Sequence, residues 1–184
     1  VILWRVLPWR AASRPTEPGG PLWFARELQG AGRHDNPHLY GCLYVGESPV
    51  SPVAEALAPF RGAGALDEGM LVRSRTPLAL AELSLSSHAR VLDLDDPRVL
   101  LDVQLRPSQV ATHRRAVTRA HAAALFARHP APAALRWWST LESSLANLTL
   151  FDRAHPALAV VEVNPLTPAH PAVRAAAELL GLDG

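Results

Sequence analysis

Two spacings of apolar residues, alternation and the four-three step of a helix, divide this chain into short strands and short helices. Residues 2–7 (ILWRVL) alternate as a strand with Trp4 and Arg5 on opposite faces. Residues 10–22 collect Arg, Ser, Pro and Gly and form a loop. Segment 22–32 (LWFARELQGAG) reads either as a short helix or as an irregular apolar plug ending at Gly30 or Gly32. A strand follows at 41–46 (GCLYVG), with Leu43 and Val45 on one face and Cys42, Tyr44 and Gly46 on the other. The small neighbours of Tyr44 leave room against its ring for another flat group.

Ser51 then reads as a helix N-cap, with Pro52 in the first helical position. The helix 52–60 turns Val53, Leu57 and Phe60 inward. Glu55 lies about 200° round from Val53 and points away from that stripe. Residues 61–70 are a glycine-rich loop, and 77–85 (PLALAELSL) is strand or short helix. A strand at 90–96 precedes a short helix at 97–102, opened by Asp96-Pro97. The longest helix is 112–129, capped by Thr112, with Val117, His121, Ala124, Leu125 and Arg128 near one stripe. Strands follow at 135–141, 148–152 and 158–163, the first placing Leu135, Trp137 and Ser139 on one face. A terminal helix spans 171–180 and Gly181 stops it. Strands scattered among short helices, without regular βαβ alternation, predict an α+β fold with a mixed sheet. No repeat or linker divides the chain, so 1–184 reads as a single domain.

Composition narrows the function. A net charge of +1 argues against a dedicated nucleic-acid or membrane-surface binder. All 18 basic side chains are arginine, which excludes lysine Schiff-base chemistry and a P-loop lysine in this chain. Any anion must be held by Arg or by backbone N–H groups. The single cysteine, Cys42, forms no intrachain disulfide and no multi-cysteine zinc site, which fits a reducing, cytoplasmic setting. No apolar run approaches the roughly 20 residues of a membrane span. The first ten residues are too interrupted by Arg and Pro for a signal peptide.

Three residues are hard to explain by packing alone: Arg33 in a Gly-Arg turn, Tyr44 on the strand and Glu55 on the helix, each eleven positions after the one before. Singly they read as a surface arginine, a half-buried strand tyrosine and a solvated helix glutamate. Together they offer a fork for a diphosphate or carboxylate, a stacking ring and an anion near a helix start. Ser139 has no G-x-S-x-G elbow around it, so a serine hydrolase is not indicated. His34 and His38 are four apart but separated by Pro37, and no metal site is assigned.

Gly32-Arg33-His34-Asp35-Asn36, then LYVGES with Tyr44, then VAEAL with Glu55, then RWWSTLESSLANLTLFD with Ser139, Asn147 and Phe151, resemble in order and spacing the motifs of the RES domain, the toxin half of RES–Xre toxin–antitoxin pairs. The resemblance covers about residues 2–165, with His34 standing where the family has a turn tryptophan. It implies a fold like that of the ADP-ribosyltransferases and consumption of NAD by hydrolysis or phosphorolysis, with protein ADP-ribosylation as the alternative. In that reading Arg33 grips the NAD diphosphate, Tyr44 stacks on the nicotinamide side, and Glu55 stabilises the ribosyl oxocarbenium ion. Ser139 and Asn147 hold the ribose or nicotinamide end. The implied partners are NAD, inorganic phosphate and an Xre-like antitoxin, with no direct contact to nucleic acid. A catalytically dead NAD- or nucleotide-binding module is the reading outside enzymes.

Overall fold

The computed structural model describes residues 1–183. In chain order the strands and α-helices are β1 (Ile2–Pro8), β2 (Cys42–Gly46), α1 (Val50–Leu57), β3 (Val72–Arg73), β4 (Thr76–Leu85), β5 (Val91–Asp93), α2 (Pro97–Asp102), α3 (Pro107–Val110), α4 (Arg115–Arg128), β6 (Ala134–Trp138), β7 (Ala146–Phe151), β8 (Leu158–Pro165) and α5 (Pro171–Leu180). Strand pairing is mixed and helices surround it, so the fold is α+β. The chain gathers into two compact units. The first takes Val1–Trp23, Val45–Leu85 and the segment from Ala159; the second takes Phe24–Tyr44 and Ser86–Leu158.

In the first unit β1 pairs antiparallel with β4 in an unbroken register from Ile2↔Ser84 to Pro8↔Leu78. Consecutive residues of β4, Leu78 to Ala81, are buried on both faces. That explains why 77–85 lacks strand alternation: a strand covered on both sides reads as a continuous apolar run. On β1 the Arg5 guanidinium donates to the Pro21 and Trp23 carbonyls at 2.6 and 3.4 Å, and burial lowers its pKa to about 10. This ties down the loop that follows the strand.

α1 packs against α5 through Val53, Ala54 and Leu57 on one side and Val173, Ala176, Ala177 and Leu180 on the other, all buried. The alanines let the two helices approach closely. Gly181 ends α5 at φ 66°, in the left-handed region that glycine adopts without steric cost. α1 starts at Val50 after Pro49, so Ser51 lies inside the first turn and is buried rather than standing as the cap. A Cβ on Gly46 would come within 2.7 Å of Pro52 Cδ and 2.9 Å of Ser51 Cβ, so glycine there permits this close start. Phe60 falls on a separate 3-10 turn and is half-buried under the Arg73 guanidinium, 5.3 Å from the ring centroid.

In the second unit β5 runs parallel to β6, from Val91↔Ala134 to Asp93↔Arg136, and β6 runs antiparallel to β7, from Ala134↔Leu150 to Trp138↔Ala146. The strand read at 90–96 is confined to Val91–Asp93. Tyr40, Phe126 and Phe151 form an aromatic cluster with centroids 4.5–5.0 Å apart. α4 begins at Arg115, so Thr112 lies ahead of the cap, where its hydroxyl accepts from the Arg114 N–H. Its buried stripe is Thr118, Ala122 and Leu125. Of the expected stripe of Val117, His121, Ala124, Leu125 and Arg128, only Leu125 is buried, because alanine carries little apolar signal and leaves the stripe poorly marked. Segment 22–32 contains only a 3-10 turn, Arg26–Leu28.

The hairpin between β3 and β4 turns at Ser74 and Arg75, with φ of 48° and 64°. Two successive left-handed residues suit the twist of a two-residue hairpin, but a Cβ makes that conformation costly. Ser74→Asn combined with Arg75→Gly is expected to stabilise the protein by about 1 kcal/mol. Urea unfolding checks this; an unchanged or lowered midpoint would contradict it.

Candidate functional site

The second unit is fastened around the turn that carries Arg33. Asp35 is 5% exposed and its two carboxylate oxygens divide four donors between them. One oxygen accepts the Gly30 and Gly32 N–H groups at 2.8 and 2.7 Å. The other accepts the Tyr44 hydroxyl at 2.6 Å and the Cys42 thiol at 3.3 Å. Burial pushes the carboxyl pKa up, but hydrogen bonds from Tyr44, Gly30, Gly32 and Cys42 outweigh it and hold the group below its ordinary value. Asp35 is therefore an anion at neutral pH. Burial, with Asp35 beside them, raises the Cys42 thiol and the Tyr44 phenol, so both keep their protons.

Gly32 is required by close approach. A Cβ there would stand 2.5 Å from both Asp35 Oδ1 and Tyr44 Oη. Gln29 closes the same turn onto the strand: its amide donates to the Cys42 carbonyl at 2.6 Å and accepts from the Cys42 N–H at 3.0 Å, as a neighbouring strand would.

Arg33 is 4% exposed, not a surface residue. Its Nη1 donates to the carbonyls of Val110 and Thr112 at 2.8 and 2.9 Å, and Nη2 reaches the Thr140 hydroxyl at 3.5 Å. The guanidinium lies 4.7 Å from the Trp137 ring centroid. The Arg33 carbonyl accepts from the Thr118 hydroxyl on α4 at 2.5 Å. One residue thus joins the turn to α3, α4 and the segment after β6, and its fork is held in a single orientation.

His34 is buried, and its N–H donates to the Tyr44 hydroxyl at 2.9 Å. Its ring meets Trp137 edge-on, centroids 5.6 Å apart, and Nδ1 is 2.7 Å from the Thr149 hydroxyl, which also accepts from Trp137 Nε1 at 3.1 Å. Burial, then the charges of Arg33 and Arg115, lower its pKa to about 3 against the opposing pull of Asp35, so the imidazole is neutral at physiological pH. His34 acts as a core ring rather than an open stacking surface. Asn36 completes the turn, its amide donating to the His34 carbonyl, the Tyr40 hydroxyl and the Arg119 carbonyl at 2.7–3.1 Å.

Ser139 lies one residue beyond β6, not on the strand as the 135–141 reading placed it. It is 2% exposed; its N–H donates to Leu145, and its hydroxyl accepts from the Leu141 N–H at 3.1 Å in a tight turn. Asn147, also buried, stands directly opposite Trp137 in the β6–β7 register. Arg33, Tyr44, Ser139 and Asn147 therefore belong to one unit, linked through Trp137, Thr140 and Asp35. Glu55 belongs to the first unit, on the exposed side of α1, away from Val53, Ala54 and Leu57, and past the first turn rather than near the helix start, because α1 begins at Val50. Among the described residues no three His, Cys, Asp or Glu side chains gather as metal ligands, and no helix is long and apolar enough to cross a membrane.

The sequence places Asp35 and Asn36 in the turn motif without giving them a role, and it does not single out Thr149. The available signal for Asp35 was local: an Asx residue behind two closely spaced glycines offers an acceptor to their N–H groups. Nothing local marked Thr149, whose partners lie 12 and 115 residues away.

Comparisons with known proteins agree with this architecture. No curated protein matches the chain. Among solved structures, a chain of the crystal structure of the M. tuberculosis MbcT–MbcA toxin–antitoxin complex is similar over 98% of this chain and 88% of its own length, at 19% identity and a TM-score of 0.64. That likeness shows the fold. The family model of the RES domain matches residues 3–174, nearly the whole length, and the chain belongs to the RES domain family.

Proposed function

We propose that this protein is a toxin that cleaves the bond between nicotinamide and ribose in NAD. The observation that carries this reading is the RES match over 3–174 together with the placement of Arg33, Tyr44, Ser139 and Asn147 in one fastened unit. NAD binds with its diphosphate toward Arg33, whose guanidinium is held on Val110, Thr112 and Thr140 and contributes its fixed positive charge. The Tyr44 ring stacks on the nicotinamide side. Ser139 and Asn147 hold the ribose or nicotinamide end.

The chemistry asks for little beyond orientation and one negative charge. Nicotinamide in NAD is a cationic leaving group. When the C1′–N bond breaks, its electron pair stays with the ring nitrogen and positive charge moves to the ribosyl C1′ and ring oxygen. The Glu55 carboxylate stabilises that charge, and a fixed anion serves better than reorganising water. An acceptor oxygen, from water or inorganic phosphate, then bonds to C1′; the proton of a water acceptor passes to solvent. The similarity to a chain of a toxin–antitoxin complex supports a cognate antitoxin as partner, and the Xre type follows from the family resemblance.

Glu55→Ala is expected to lower kcat for NAD cleavage by roughly 100-fold or more while Tm stays close to wild type, because Glu55 is outside the packed stripe of α1. Wild-type turnover in this variant would contradict the assigned role. Arg33→Ala is expected to act on both levels. KM for NAD rises, and stability falls by about 2 kcal/mol because the buried Val110 and Thr112 carbonyls lose their donor. Steady-state kinetics and urea unfolding on the same preparation separate the two; a change in stability with unchanged KM would assign Arg33 to the fold alone. In cells, expression without an antitoxin should lower NAD, and expression of Glu55→Ala should not. Unchanged NAD at good soluble expression of the wild type would contradict the proposal.

A further inference from the structure

We infer that Asp35 is the positioning residue of the NAD site, acting through Tyr44 and the Arg33 turn without touching substrate; this rests on the NAD-cleaving reading above. Asp35 receives two N–H groups on one oxygen and a hydroxyl and a thiol on the other. No other side chain of this size accepts from four donors on two sides. An asparagine has one oxygen, so it must turn its NH2 either toward the Gly30 and Gly32 N–H groups or toward Tyr44 and Cys42, donor against donor.

The Tyr44 hydroxyl donates to Asp35 and accepts from the His34 N–H at 2.9 Å, so it is spent on the turn and is not a ligand for substrate. What Tyr44 presents is its ring, and Asp35 sets the pose of that ring. On its other oxygen Asp35 fixes Gly30 and Gly32, and Gly32 immediately precedes Arg33. The guanidinium and the ring proposed to face the diphosphate and the nicotinamide of NAD are thus registered against each other by one buried anion. Gly32 is part of the same device, since any Cβ there would occupy the space of Asp35 Oδ1 and Tyr44 Oη.

The test compares wild type, Asp35→Asn, Tyr44→Phe and the double variant. Kinetics with NAD is combined with urea unfolding, and active-site concentration is taken from the folded fraction. Loss of positioning raises KM and lowers kcat/KM by roughly 10- to 100-fold in Asp35→Asn. Tyr44→Phe gives a smaller loss of the same kind, and the double variant is no worse than Asp35→Asn alone, since both act on one contact. A merely structural Asp35 would instead lower the folded fraction and leave KM at the wild-type value; that result overturns the inference. If the wild type neither binds nor cleaves NAD, the functional reading fails. The stability cycle then decides the remainder: additive unfolding costs for the two substitutions would overturn the Asp35–Tyr44 coupling, and non-additive costs would uphold it.

Discussion

A carboxylate withdrawn from water stays ionised only where donors replace its hydration, and the Asp35 carboxylate meets that condition with four. Hydrogen bonds to a charged acceptor contribute on the order of 1.5–3 kcal/mol each, enough together to offset the desolvation of one carboxylate. The consequences spread outward. Gly30 and Gly32 are held, so the turn has one shape. Tyr44 is held, so β2 meets the turn in one register. Arg33, between those two anchors in the chain, enters a buried niche with two carbonyls and an indole face around its guanidinium. His34 is carried inward with it and stays neutral, its ring against Trp137 and Thr149.

The same arrangement accounts for the chemistry assigned to the site. A glycosidic bond to a cationic ring needs no strong nucleophile; it needs a substrate held still and an anion where charge develops. In the proposed reaction, rigidity at the Arg33 turn serves the first requirement. The second is the role proposed for Glu55, which α1 keeps off its packed face while Val53 and Leu57 anchor the helix against α5. In this proposal stability and function are divided between faces of a short helix, whereas at Arg33 they share one side chain.

The parts of the fold visible in the sequence were those with strong local signals. β1, β2, α2 and α5 follow from alternation, from the Asp96-Pro97 start and from the Gly181 stop. β4 was ambiguous because both of its faces are covered, which removes the period of two. α3 was missed because four residues carry no period, and the stripe of α4 was misjudged because alanine blurs it. At the site, Arg33 and Tyr44 stood out by residue type, but their burial did not. Arginine is usually read as exposed, and the carbonyls of Val110 and Thr112 that draw it inward lie 77 and 79 residues away. Ser139 was placed on a strand because apolar alternation continues past Trp138, whereas its hydroxyl in fact starts a turn.

The central claim is that bound NAD is broken at the nicotinamide–ribose bond. The most direct measurement is mass-spectrometric identification of products from NAD and the purified chain, in buffers with and without inorganic phosphate. The account predicts free nicotinamide in equal amount to the NAD lost, with the remaining ADP-ribosyl group recovered as ADP-ribose or as its phosphate ester. NAD left intact by folded protein free of any antitoxin, or NAD cleaved at the diphosphate with nicotinamide still attached to ribose, would contradict it.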